Sequence, residues 1–213
     1  VLTWIFQGSS YLSAYGYGIM HRIHHAYADT EKDPHSPKYD KSLFAMMWKT
    51  KTIYSAITNK KMEVEARFLK GVPEWTSFDT FARSWYSRLG WGIVYTGVYY
   101  TFADVWWLWL LLPVQFLLSP VHGAIINWFA HKYGYRNFEV SDTSKNFLPF
   151  DFLMMGESYH NNHHKHGSRA NFGGFRWHEI DPTYLAILGL NKIGVIKLNK
   201  KTPAKTAVLE HAA

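Results

Sequence analysis

"VWWLWLLLPVQFLLSPVHGAIINWFAH", Val105 to His131, decides the fold. From Val105 to Ala130 it contains no Asp, Glu, Lys or Arg. A helix needs roughly 20 apolar residues to cross a bilayer core of about 30 Å, and this block has them. Pro113 and Pro120 should kink it, which membrane helices tolerate because neighbouring groups re-satisfy the freed backbone. Asn127 and His131 close the block at i and i+4, on one face of a helix. Working outward, Leu89 to Ala103 is also free of charge, and it extends back through Trp85 and Tyr86 if Arg88 snorkels. Only Asp104 separates the two blocks, so they predict a tight helical hairpin. Val1 to Met20 is a third uncharged block, all or the second half of another span. The expected spans are thus about 1–20, 85–103 and 105–130. Core helices of a soluble domain are the alternative, but two such blocks side by side argue against it.

The charges fall between these blocks. The stretch Lys32–Arg88 holds eleven Lys and Arg, and the stretch from Lys132 onward holds eleven more, while the hairpin tip holds none. The positive-inside tendency then places both flanks in the cytosol. All three blocks deliver an end to that face, with His21 directly after the first and His131 directly after the last. The net charge of +7 is spread without a compact basic run, which excludes a nucleic-acid surface. The absence of cysteine excludes disulfides, thiolate metal sites and a cysteine nucleophile. Ten Trp and 18% aromatic residues suit a membrane interface. Lys38–Arg88 and "FLPFDFLMM", Phe147 to Met155, read as amphipathic helices on the membrane surface. One domain is expected over 1–198, with 199–213 as a frayed tail. The expected class is mostly α: multi-pass transmembrane helices with a cytosolic helical cap holding a His-rich di-metal site.

The cap carries the chemistry. His21, His24 and His25 stand at i, i+3 and i+4, and His160, His163 and His164 repeat that spacing. On a helix each set shares one face. Chance gives about 0.04 such matches in a chain with this many histidines, so two are a signal. Neutral imidazole ligates Zn, Cu, Fe and Ni. Six or seven histidines exceed one tetrahedral zinc site, so the count asks for two metals. Hydrolysis would want a general base beside the metal. An all-imidazole shell instead suits a strongly electrophilic oxidant acting on an unactivated C–H bond.

"HRIHH", "HNNHH", "NWFAH" and "EKDPHSP", together with the late "EIDPTY", resemble the membrane-bound fatty acid desaturase family, in the bacterial form of its stearoyl-type Δ9 acyl-CoA branch. The resemblance covers roughly Gln7 to Leu198. It implies a non-haem centre of two Fe that uses O2 to remove two hydrogens from an acyl chain, leaving a cis double bond. It implies His21, His24, His25, His131, His160, His163 and His164 as metal ligands, with Asn127 acting through water. It also implies a long-chain acyl-CoA or acyl-lipid substrate, surrounding membrane lipids, and a separate electron donor of ferredoxin, rubredoxin or cytochrome b5 type with its reductase. The location implied is the cytoplasmic membrane in a bacterium or the endoplasmic reticulum in a eukaryote, with the site facing the cytosol. A di-iron lipid hydroxylase and a non-catalytic desaturase-like membrane protein are the alternatives.

Two departures stand out. The family's first box, H-x-x-x-x-H, does not precede His21, and its expected place is upstream of Val1. Ile19 and Met20 occupy the place where animal enzymes carry an Arg-Asp pair for the acyl-CoA headgroup. Among outer groups, Asp33, Glu31 and Glu157 are candidates to orient ligand imidazoles. His35 reads as structural or as support behind the ligands, and Asn161 as fixing the local turn or backing a ligand. His122, midway along the span, reads as bonding a neighbouring element. His166 and His178 read as surface or supporting residues.

Overall fold

The computed structural model describes residues 1–198, so the expected tail at 199–213 lies outside the described residues. Nine α-helices run in the order α1 (Leu2–Gln7), α2 (Ala14–Tyr27), α3 (Leu43–Thr58), α4 (Ala66–Leu69), α5 (Thr76–Ala82), α6 (Trp85–Phe102), α7 (Leu112–Ala124), α8 (His160–Lys165) and α9 (Pro182–Lys192) among the described residues. Extended pairing there is limited to two isolated antiparallel bridges, Tyr135 with Asn146 and Asn146 with Tyr159.

The block 105–130 is one continuous helical rod with three geometries. A 3-10 segment, Trp106–Leu111, leads into α7, where Pro113 sits in the first turn. Pro120 lies inside α7, and a π turn, Ile125–Phe129, closes the rod just before His131. Proline at a helix start lacks only an N–H that would be unpaired anyway. Among the described residues, Trp106–Phe129 is the one helix long and apolar enough to cross a membrane. The expected hairpin forms, with α6 returning beside α7: Gly92 lies where a side chain would press on Phe116. The helix α6 is eighteen residues long, but its Gly, Tyr, Thr and Ser content makes it less apolar than its partner. Tyr100, Phe102 and Trp106 face outward, as lipid-belt residues do, and the groove lined by Leu89, Ile93, Thr96, Tyr100 and Phe116 is open.

Two expectations change in form. Residues 1–20 do not form one continuous helix. The helix α1 ends after six residues at Gly8, whose φ of 55° leaves the helical region, and a 3-10 turn separates it from α2. Ser13 caps α2, its Oγ accepting from the Gly16 N–H, so the chain starts a new helix instead of extending the old one. Residues 147–155 are not helical either. They form an irregular loop organised by Asp151, described below.

The core that positions the site is small. Ile19, Met20 and Ile23 of α2 pack on Ile57 of α3 and Phe68 of α4. This apolar stripe, at helical spacing, fixes the rotation of α2 and turns His21 and His25 to the opposite side. Ser42 and Ser84 cap α3 and α6, and Asp181 caps α9 with Pro182 next to it.

Candidate metal centre

Three elements bring seven imidazoles together. Their ring nitrogens form two groups, His24, His131, His160 and His164 in one and His21, His25 and His163 in the other, with the potential ligand atoms of each group within 4.8 Å of one another. In the second group the Nε2 atoms stand 3.1 Å apart for His21 and His163, 3.1 Å for His21 and His25, and 2.8 Å for His25 and His163. In the first, His24 meets His164 and His131 meets His160, each at 3.1 Å between Nε2 atoms.

Three mutually close Nε2 atoms cannot be satisfied by hydrogen bonds alone. Each ring nitrogen has one direction in its plane, for a lone pair or for a proton, and cannot serve two neighbours. A cation at the common focus satisfies all three. With a metal–nitrogen length of about 2.1 Å, adjacent ligands around an octahedral ion lie about 3.0 Å apart, which matches these spacings. The residues therefore fit two metal ions.

Burial favours the neutral form, the one that ligates, in five of the rings. Burial, followed by repulsion from neighbouring imidazoles, lowers His21 to about 4, His25 to about 3 and His163 to about 2. The same causes hold His24 and His160 well below the ordinary histidine range.

Carboxylates behind the rings fix which nitrogen carries the proton. His24 Nδ1–H donates to Asp33 Oδ1 at 2.9 Å, and His164 Nδ1–H donates to Asp142 Oδ2 at 2.8 Å. His131 Nδ1–H donates to Thr143 Oγ1 at 3.1 Å, and the Thr143 hydroxyl donates to Asp29 Oδ2 at 2.6 Å. Each bond leaves the Nε2 lone pair aimed at the focus, the arrangement that metal-bound histidines use. Burial opposes ionisation of Asp29 and Asp142, but the His131 ring 3.7 Å away and hydrogen bonds from Thr143 and Ser36 on the former, and hydrogen bonds from His164 and Ser144 on the latter, keep both carboxyls well below the usual range.

The short helix α8 is held from outside itself. Asn146 Oδ1 accepts from the N–H groups of Asn161 and Asn162 at 3.0 and 3.2 Å, capping α8 from across the fold. Buried Glu179 accepts from Tyr135, Asn137 and Asn162 and from the Phe175 and Arg176 N–H groups. Phe172 stacks on His163 with centroids 4.0 Å apart.

The other sequence candidates separate. Asp33 does orient an imidazole. His35 is buried, its ring 4.2 Å from that of His24, and its potential ligand nitrogen lies within 4.8 Å of a ring nitrogen of His24 and a carboxylate oxygen of Asp33. Asn161 braces the 137–144 segment, accepting from Asn137 N and Phe138 N. Asn127 lies in the π turn four residues before His131. Glu31 is exposed on the turn after α2 and orients no ring. Glu157 is half-buried near Asp181 and Asp151; burial and then these two carboxylates push it up to about 7. His166 stacks on Phe175, and His178 Nδ1–H donates to the Pro149 carbonyl, both outside the two groups. Sequence reasoning missed Asp29 and Asp142. Asp29 had a signal, four residues before Asp33 and just after the HRIHH helix, whereas Asp142 lies in "EVSDTS" with no spacing to mark it.

The fatty acid desaturase family model matches residues 1–189. The chain belongs to the fatty acid desaturase family. Its curated relatives include the Delta-9 desaturase-like 3 protein of Arabidopsis thaliana, 30% identical over 182 residues, covering 82% of this chain and 56% of that protein. The Delta-9 acyl-lipid desaturase 1 of the same plant is 26% identical over 181 residues, covering 82% of this chain and 55% of that protein. The sn-1 stearoyl-lipid 9-desaturase of Anabaena variabilis is 28% identical over 181 residues, covering 82% and 61%. The chain thus spans little more than half the length of these relatives. No solved structure matches it. The family is one of membrane-associated oxidoreductases of lipid metabolism, and the histidine groups are compatible with metal binding.

Proposed function

We propose that this chain carries the metal-binding part of an O2-dependent desaturase that places a cis double bond, at Δ9, in a long-chain acyl group. The observation that supports this best is the convergence of seven imidazoles into groups of four and three. Two iron ions held there would supply the O2-derived oxidant that removes hydrogen from two adjacent carbons. His24, His131, His160 and His164 would hold one ion, and His21, His25 and His163 the other, with Asn127 reaching a metal through water.

The chain's own residues do three things. Burial favours the neutral form of His21, His24, His25, His160 and His163. Asp33, Asp142 and the Thr143–Asp29 pair fix the ring tautomers. Asn146, Glu179 and Phe172 hold α8 so that its rings meet those of α2. No side chain is assigned as a proton donor. Electrons would come from a separate carrier of ferredoxin, rubredoxin or cytochrome b5 type.

Acyl-CoA and acyl-lipid are both substrates to test, and two observations favour the lipid. Ile19 and Met20 are buried in the α2 core, so they present no polar group to a headgroup. The similar proteins from Arabidopsis and Anabaena are named for acyl-lipid and stearoyl-lipid substrates. The site is proposed to face the cytosol from a multi-pass protein.

The test is expression of the full natural chain in cells lacking Δ9 products, with iron counting on the purified protein. Two irons per chain and a new cis-Δ9 alkene are expected. An alcohol at that position would favour the hydroxylase reading, and absence of both iron and product would favour a non-catalytic relative.

A further inference from the structure

His122 lies in the Trp106–Phe129 rod and is not one of the seven imidazoles. Its Nε2–H donates to the carbonyl of Met154 at 3.2 Å. Met154 belongs to the irregular loop 147–156, so this bond fixes the loop's height along the rod. His122 is seven residues before Phe129, about 10 Å along a helix axis from the end that leads to His131. If the rod crosses a bilayer, the loop beside it lies below the membrane surface.

The loop is built for that position. Asp151 is buried, and its carboxylate accepts from the N–H groups of Met154, Gly156 and Ser158 at 2.7, 2.9 and 2.8 Å. Those backbone donors therefore need no water, which irregular backbone at membrane depth requires. Met155 and Gly156 have positive φ, 55° and 97°. A side chain on Gly156 would also run into the Asp181 carboxylate. Thr183 Oγ1–H donates to the Met155 carbonyl at 2.5 Å, tying the turn to α9. This scaffold turns its apolar side chains outward. Phe152 is 78% exposed, Leu153 76% and Trp177 87%, with Phe150 edge-on to Trp177 at 6.2 Å. A loop in which Asp151 pairs three backbone donors and whose large apolar tips point outward is suited to the lipid interface, and the His122 bond joins this surface to that of the rod.

We propose that residues 150–155, with Trp177 beside them, form a fixed wedge inserted in the lipid interface on the same side as the metal centre. The occupant of this surface is the bilayer, and the wedge holds the α8 lobe at a set depth. The inference rests on the reading that Trp106–Phe129 crosses the membrane, and the experiment separates the two.

The sequence contains no cysteine, so single labels can be placed on the full natural chain once any cysteine elsewhere in it is replaced. An environment-sensitive fluorophore is attached at Phe152→Cys, Leu153→Cys, Leu117→Cys in the span, and Glu139→Cys, an exposed polar control. The protein is reconstituted in phosphatidylcholine vesicles. Quenching is read with iodide in the water and with lipids brominated near either end of the acyl chains. Labels at 152 and 153 are expected to be quenched most by bromine near the headgroup end, and about five-fold less by iodide than the label at 139, as for a group 5–10 Å below the surface. The label at 117 is expected to be quenched by the deeper bromines. Iodide access at 152 and 153 equal to that at 139 overturns the wedge. Protection from iodide without lipid quenching also overturns it, because protein then covers the face. Absence of lipid quenching at 117 overturns the span reading and the wedge with it, whereas lipid quenching at 117 alone overturns only the wedge.

Discussion

Asp33→Asn should weaken one metal site and spare the other. Asp33 is fully buried, and Oδ1 accepts from His24 Nδ1 at 2.9 Å and from the His35 N–H at 3.0 Å, while Oδ2 accepts from the Asp29 N–H at 2.8 Å. Asparagine keeps the shape but replaces one acceptor oxygen with an NH2. Oriented one way, the NH2 opposes the Asp29 N–H; oriented the other, it opposes His24 Nδ1–H and His35 N–H. In either pose the negative charge that raises the basicity of His24 is gone. Loss of such a partner lowers metal affinity about 10- to 100-fold, or about 1.4–2.7 kcal/mol. The buried donor left unpaired lowers folding stability by about 1–3 kcal/mol. The assay is cobalt titration of the metal-free full chain, followed by the visible ligand-field bands, with thermal melting alongside. One equivalent should weaken by that factor and the other should stay within about two-fold, because His21, His25 and His163 do not contact Asp33. Equal weakening of both equivalents, or of neither, would refute the assignment of His24 and Asp33 to one of two separate ions.

Other perturbations test other parts of the site. Asn146→Ala removes the cap on α8 and the bond to Asn162 Oδ1, so the melting transition should fall by the equivalent of about 2–4 kcal/mol, with metal binding lost in proportion. Glu157 has its folded pKa raised to about 7 from an ordinary value of 4.5, so its contribution to stability is fully present below pH 4.5 and lost as pH rises through 7. Glu157→Gln should therefore flatten that slope and stabilise the protein at pH 8 by on the order of 2 kcal/mol, allowing for partial exposure, as read from melts at pH 5 and pH 8. His21, His25 and His163 have depressed pKa values, so the unfolded state takes up protons first as pH falls below 6.5. On the Glu157→Gln background the metal-free protein should lose stability progressively from pH 6.5 down to 4, and these histidines should add no slope above 6.5, as measured by denaturant midpoints across that range. His166→Ala should leave metal stoichiometry unchanged, because its ring stacks on Phe175 outside both groups.

Which helices hold the clustered histidine rings was legible in the sequence because helical spacing is a local property. H-x-x-H-H puts three rings on one face wherever the backbone is helical, and Asn127 to His131 spans one turn at the end of an uncharged block. The long apolar helix from 106 was legible because composition over 24 residues decides whether a helix is suited to lipid. The Val1–Met20 block shared that composition but not the geometry. Gly8 at positive φ and the Ser13 cap break it, and apolar content does not report a break. The loop 147–155 misled for the opposite reason: its apolar residues suggest a helix face, but Asp151 draws three N–H groups into a tight turn.

The sequence by itself determined that two histidine-bearing helices and one long uncharged helix are present. Only the tertiary structure decided how the rings are shared. Each box is split: His24 joins His160 and His164, whereas His21 and His25 join His163, and His131 enters the first group from the end of the π turn. The i, i+3, i+4 pattern fixes a face to within a turn, but the partner of each ring depends on how α2 and α8 cross. That crossing is set by long-range contacts, by the Ile19–Ile23 stripe on α3 and α4 and by Asn146 and Glu179 around α8. Asp142 and Asp29 reach their histidine partners the same way, through chain segments more than twenty and more than one hundred residues away. Residue spacing within one helix carries no information about such distant partners.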